Sequence, residues 1–136
     1  MHWNGVAASA IAVGRAPASS AVLGGMVHGA MYDAVAAVEG GLDPFATGVT
    51  SPPGASADAA VAQAARDVLV ARVPGQAGPV QAAYDAYMAS IPDGPAKDAG
   101  KAVGVAAAAG MLAITSTTSF RTSSRRRAQA CSSRSR

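Results

Sequence analysis

The segment MVHGAMYDAV at 26–35 holds the densest group of side chains able to do chemistry. His28 and Tyr32 are four residues apart and would share a helix face, with Asp33 close to that side. An imidazole oriented by a neighbouring carboxylate is the arrangement of an acid–base catalyst. No Ser or Cys nucleophile and no second His accompanies it. The structural reading is therefore favoured, with His28 satisfying a hydrogen bond at a helix contact and Asp33 bonding a loop amide or an Arg.

A second set, Asp85, Asp93 and Asp98 with Lys97 and Lys101, has the makings of a carboxylate site. Its spacing fits simpler roles: Asp98 and Lys101 as a surface i,i+3 pair, and Asp93 as a helix cap. The Tyr84, Tyr87 and Met88 stripe reads as core. No phosphate-binding loop, dinucleotide-binding glycine pattern or calcium loop occurs. Cys131 is the single cysteine, which excludes a disulfide framework and a Cys-based zinc site within one chain. Two histidines, at 2 and 28, leave little for a histidine-ligated metal centre. No catalytic, cofactor-binding or metal-binding residue is therefore expected, and His28, Tyr32 and Asp33 stand as structural candidates only.

The elements that must position these groups are helices separated by Pro and Gly. Ala, the best helix former, supplies 35 of 136 residues, and no segment alternates. A first helix is expected over about Asn4–Arg15, ended by Pro17. Ser19 or Ser20 would cap a second, whose stripe of Leu23, Val27, Ala30, Met31, Ala34, Val35 and Val38 follows the 3.6-residue period to Gly40 and Gly41. Residues 41–55, with Pro44, Pro52 and Pro53, form a loop. Ser56 caps a third helix to about Arg72, with Asp58 near its positive end. After a turn at Pro74–Gly78, Val80, Ala83, Tyr84, Tyr87, Met88 and Ile91 line a fourth helix, which Pro92 ends. The fifth carries Pro95 in its first turn and Val103, Ala107, Gly110, Met111 and Ile114 on one face. The fold class is thus all-α, about five helices in an incomplete bundle. Small residues one turn apart (Gly25 and Gly29; Ala102, Ala106 and Gly110) suit close helix crossings. A core this rich in Ala gains little burial, at about 0.8 kcal/mol per methylene, so docking onto a partner is expected.

Charge divides the chain. The net of +3 conceals five basic and eight acidic side chains in residues 1–114, a net of −3, and six Arg without an acid in 115–136. That final segment, TSTTSFRTSSRRRAQACSSRSR, holds eleven Ser or Thr among its 22 residues and predicts a disordered basic tail. Its Arg clusters could contact phosphate backbones. Nucleic acid is disfavoured, because no folded binding module and no aromatic interleaving accompany them. The abrupt change after Ile114 inside an apolar helix instead suggests a reading-frame change in a GC-rich gene.

The apolar run Ala102–Ile114 is too short to cross a bilayer, so no membrane span is expected. The stretch from Gly5 to Gly14 lacks a preceding Lys or Arg and supports a signal peptide poorly, leaving cytoplasmic and secreted locations both open.

Three longer segments, with the WN at Trp3 and Asn4, carry a resemblance: RAPASSAVLGGMVHGAMYDAVAAVEG (15–40), PPGASADAAVAQAARDVLVARVP (52–74) and IPDGPAKDAGKAVGVAAAAGMLAI (91–114). In this order they resemble bacterial vanadium-dependent haloperoxidase-like proteins of the type 2 phosphatidic acid phosphatase superfamily. The resemblance covers nearly all of residues 3–114 and is most specific around His28–Asp33 and Pro92–Gly104. It implies the N-terminal helical part of an enzyme whose C-terminal bundle holds vanadate or phosphate with a Lys, two Arg, an SGH-type segment and a second His. Such groups stabilise a trigonal-bipyramidal oxyanion. No SGH and no K-x6-RP occurs here, so no catalytic residue carries over.

The expectation is a truncated haloperoxidase- or acid-phosphatase-like chain, inactive alone. Its parent activity would be halide oxidation by peroxide or phosphomonoester hydrolysis, and vanadate is implied only for the full-length family. Its partner would be a missing catalytic half, or a second copy through exposed helix faces. The alternative is a small helical interaction module whose basic tail binds a polyanion.

Overall fold

The computed structural model describes the backbone of residues 2–14, 17–46 and 48–132, with side chains in those ranges except at 14, 17, 18 and 117–132. The elements are α1 (His2–Gly14), α2 (Pro17–Glu39), α3 (Ala57–Arg72), a 3-10 turn (Pro74–Gln76), α4 (Ala77–Ala89) and α5 (Pro95–Ser132). Five α-helices and no strand appear among the described residues, so the chain is all-α as its composition predicts.

Helix α3 is the centre. Ala59, Ala60, Ala62, Gln63, Ala64, Ala65, Val68 and Leu69 are all buried, which places nearly every side of the helix against a neighbour. Its alanines make this workable, since a methyl group lets a facing backbone come close. α5 packs most extensively on α3, followed by α2, with α4 and α1 closing the remaining sides. Ser56 caps α3 as expected, its Oγ accepting from the Ala59 amide at 3.2 Å. The Ser56 amide donates to the Ala96 carbonyl at 2.8 Å and ties the starts of α3 and α5 together.

Glycine sets the α3–α5 separation. A Cβ built at Gly104 would lie 2.5 Å from the Ala60 carbonyl oxygen and 2.6 Å from Gln63 Cβ. One turn earlier, a Cβ at Gly100 would collide with the Ser56 carbonyl oxygen and come within 2.9 Å of Ala59 Cβ. Gly29 of α2 meets Met111 of α5, and Gly110 faces Ala46. The close helix approaches are therefore at Gly100, Gly104 and Gly29, while Gly110 lies against the loop after α2. Gly25 has nothing within 4 Å of a built Cβ, and Ala102 and Ala106 are exposed.

The second helix starts earlier than expected. Pro17 lies in its first turn, where a missing amide costs little, so Ser19 and Ser20 sit inside the helix rather than capping it. Arg15, the expected end of the first helix, lies outside the described residues. At the far end Gly40 (φ 71°) and Gly41 (φ 76°) adopt the left-handed backbone, and the Gly40 amide returns to the Ala36 carbonyl at 3.0 Å.

The fifth helix differs at its start. Gly94, not Asp93, precedes it, and its carbonyl accepts from the Lys97 and Asp98 amides at 3.1 and 3.3 Å. The backbone of α5 is described past Ile114 to Ser132. Thr115 and Ser116 fit that continuation by turning their hydroxyls onto the Leu112 carbonyl, at 3.0 and 2.9 Å. Arg72 of α3 donates to Thr115 Oγ1 at 2.8 Å and fastens this turn to the bundle.

Two helices bear on the membrane expectation. Residues Ser19–Glu39 and Pro95–Ser116 form helices long and apolar enough to cross a bilayer by length and composition, with less than half of each window buried. A helix continues through a charge that is buried, as Asp33 is, or paired, as Lys97 is.

Candidate functional site

Helices α1 and α2 diverge around an open cleft of about 620 Å³. Ala7, Ala8, Ile11 and Ala12 of α1 and Ala21 and Gly24 of α2 form its apolar walls, while Asn4, Ser20 and His28 supply the polar groups. Each wall follows from helix periodicity, because residues three and four apart in both segments are small or apolar.

His28 is held at two atoms. Nδ1 lies 2.8 Å from the Gly24 carbonyl oxygen, which can only accept, so Nδ1 carries a hydrogen. Nε2 lies 3.0 Å from the Asn4 side-chain amide. A doubly protonated ring donates to Asn4 Oδ1. A neutral ring accepts from the amide nitrogen after the Asn4 side chain turns over. In both cases Asn4, 24 residues away in sequence, orients the imidazole.

The other two members of the 26–35 group go elsewhere. Asp33 is fully buried and accepts from the Phe45 amide at 2.6 Å and the Ala46 amide at 2.9 Å, pinning the loop after α2. Tyr32 packs its ring 5.3 Å from that of Phe45 on the outside of the same loop. The structure therefore does not unite His28, Tyr32 and Asp33 into one site. Asp33 is a loop anchor, and His28 belongs to the cleft.

The second titratable set is also structural. Lys97, almost fully buried, directs Nζ onto the Met88 carbonyl at 2.8 Å, the Ile91 carbonyl at 3.1 Å and Asp93 Oδ1 at 2.7 Å. It satisfies the exposed carbonyl end of α4. The Lys97 ammonium holds the Asp93 carboxyl below its usual 3.8, by hydrogen bond first and by charge second. Asp98 pairs with Lys101 at 3.3 Å, as the i,i+3 spacing predicts.

A polar seam between α3 and α4 escaped sequence reasoning. Tyr84 donates its hydroxyl to Gln63 Oε1 at 2.5 Å, and Gln63 Nε2 reaches both Asp67 oxygens at 2.9 Å. Arg66 bonds Asp67 Oδ1 at 2.6 Å and Gln81 Oε1 at 2.8–2.9 Å, with its guanidinium 5.6 Å from the Tyr84 ring centre. Burial raises the Tyr84 hydroxyl above its usual 10.0, with Asp67 and Asp85 adding to the effect and Arg66 and Lys97 opposing it. Tyr87 is raised as well, first by burial and then by Asp58. Its ring stacks 5.2 Å from His2 and meets Trp3 edge-on at 5.9 Å. No local pattern announces such a seam, since its partners lie 15 and 21 residues apart.

Fold and site together define an all-α bundle with a small-residue cleft between α1 and α2 that the His28–Asn4 pair lines. No family model matches the chain, and no curated protein or solved structure matches it.

Proposed function

We propose that this chain is the N-terminal helical scaffold of a vanadium-dependent haloperoxidase-like protein of the type 2 phosphatidic acid phosphatase superfamily. In that role it braces a catalytic bundle and takes no part in oxyanion chemistry itself. The sequence resemblance over residues 3–114 motivates the reading. One structural observation supports the scaffold role: the chemistry-bearing side chains of the described candidate groups already hold the fold together. His28 is tied to Gly24 and Asn4, Asp33 to two loop amides, Lys97 to the end of α4, and Arg66 to Asp67 and Gln81. An oxyanion site requires converging donors left available for the ligand.

The parent enzyme would oxidise halide with peroxide or hydrolyse phosphomonoesters, with vanadate or phosphate bound by the catalytic bundle. The experiment is to incubate the chain with vanadate, bromide, peroxide and a phenolic dye while recording the vanadium resonance. The reading expects no dye bromination and a free-vanadate line that the protein leaves unbroadened. Robust bromination with a bound-vanadate signal would overturn it.

A further inference from the structure

The outer face of α5 is exposed among the described residues. Ala102, Val105, Ala106, Ala109 and Ala113 lie at i, i+3, i+4, i+7 and i+11 and are all exposed, Val105 at 50%. Ile114 extends the face at 42% exposure. The opposite side of the helix, with Val103, Gly104, Ala107, Ala108 and Met111, is packed inward. No ionisable residue occurs from Ala102 to Phe120, a helical length of about 27 Å. Then come Arg121, Arg125, Arg126 and Arg127 on the same backbone helix, which carries a single acid, Asp98, already paired with Lys101.

We infer that α5 docks this protein on an anionic lipid surface, lying in the plane of the interface rather than crossing it. The occupant follows from charge and continuity. An uncharged apolar face continues directly into a segment with six Arg and no acid, while the rest of the chain carries a net of −3. That polarity directs the C-terminal part of α5 toward negative headgroups and the acidic body away from them. The face alone is too small-chained to hold a membrane, and Arg alone holds it only loosely. Interfacial attachment of this kind needs both signals. A nucleic acid would use the arginines and leave the alanine–valine face in water.

The test is co-sedimentation of the full chain with phosphatidylcholine vesicles, with and without phosphatidylserine, at low and high salt. Binding is expected only with phosphatidylserine, and high salt should release it. The double variant Val105→Gln/Ala109→Gln keeps every charge and, both positions being exposed, keeps the helical dichroism. It should lower vesicle affinity at least tenfold, as should Arg125→Ser/Arg126→Ser/Arg127→Ser. No binding to phosphatidylserine vesicles at low salt would overturn the inference. So would equal binding to the neutral vesicles. Unchanged binding of the Gln double variant, together with equally tight binding of the parent chain to polyuridylate, would show a charge-only polyanion site and overturn it too.

Discussion

Replacing Gly104 by Ala tests the geometry on which the bundle depends. In an unhindered helix interior this change stabilises by about 1 kcal/mol, because Ala is the better helix former. At Gly104 the new Cβ would sit 2.5 Å from the Ala60 carbonyl oxygen, 2.6 Å from Gln63 Cβ and 3.0 Å from the Ala64 amide nitrogen. Two of these three are backbone atoms of the central helix and cannot rotate aside. Overpacking costs about 1–3 kcal/mol, and rigid obstacles place this site at the upper end. The net is a loss of about 2 kcal/mol once the propensity gain is subtracted. Gly25→Ala supplies the control, since nothing lies within 4 Å of its built Cβ. It should gain about 0.5–1 kcal/mol. Urea unfolding followed by far-ultraviolet circular dichroism measures both. A Gly104→Ala protein at least as stable as the parent would refute the close α3–α5 approach. A Gly25→Ala protein destabilised by the same amount would refute the role of neighbouring backbone.

Asp33→Ala should remove about 2–3 kcal/mol by leaving the Phe45 and Ala46 amides without their carboxylate, and hydrogen exchange at those two amides should accelerate. Lys97→Met should cost about 1–3 kcal/mol through the Met88 and Ile91 carbonyls and fray the end of α4, as read by urea unfolding and exchange. Because the Asp93 carboxyl is held below 3.8, its contribution is present above that pH and is lost as pH falls through the lowered folded value. Acid unfolding of Asp93→Asn should lack that component. The raised Tyr84 hydroxyl works in the opposite sense: its contribution is full below pH 10.0 and is lost as pH rises through the higher folded value. Tyr84→Phe should flatten alkaline unfolding, followed by circular dichroism against the phenolate absorbance.

Much of this fold is legible from punctuation and period. The stripe from Leu23 to Val38 buries the residues it predicts or half-buries them, and Ser56 caps α3 with its own hydroxyl. Boundaries were harder where one residue type has two uses. Pro17 can end one helix or occupy the first turn of the next, and here it does the second. Glycine shows the same limit. Gly25 and Gly104 look alike in sequence, yet only Gly104 meets a neighbouring backbone, because the crossing point is a tertiary property. The candidate site follows suit. The spacing of His28 and Asp33 suggested one oriented pair, whereas Asp33 turns to a loop 12 residues ahead and His28 to Asn4 24 residues behind. Contacts at those separations leave no local periodic signal. The change of character at Thr115 is visible in composition, and at that point Thr115 and Ser116 bond back to the preceding turn.

The account's central claim, a scaffold part of a haloperoxidase-like enzyme, is tested most directly by reading the gene. Reading the locus in all three frames should reveal one that encodes the catalytic bundle beside this chain. That frame should go on to encode K-x6-RP, an SGH segment and a further His. A locus in independent isolates with no such frame would contradict it.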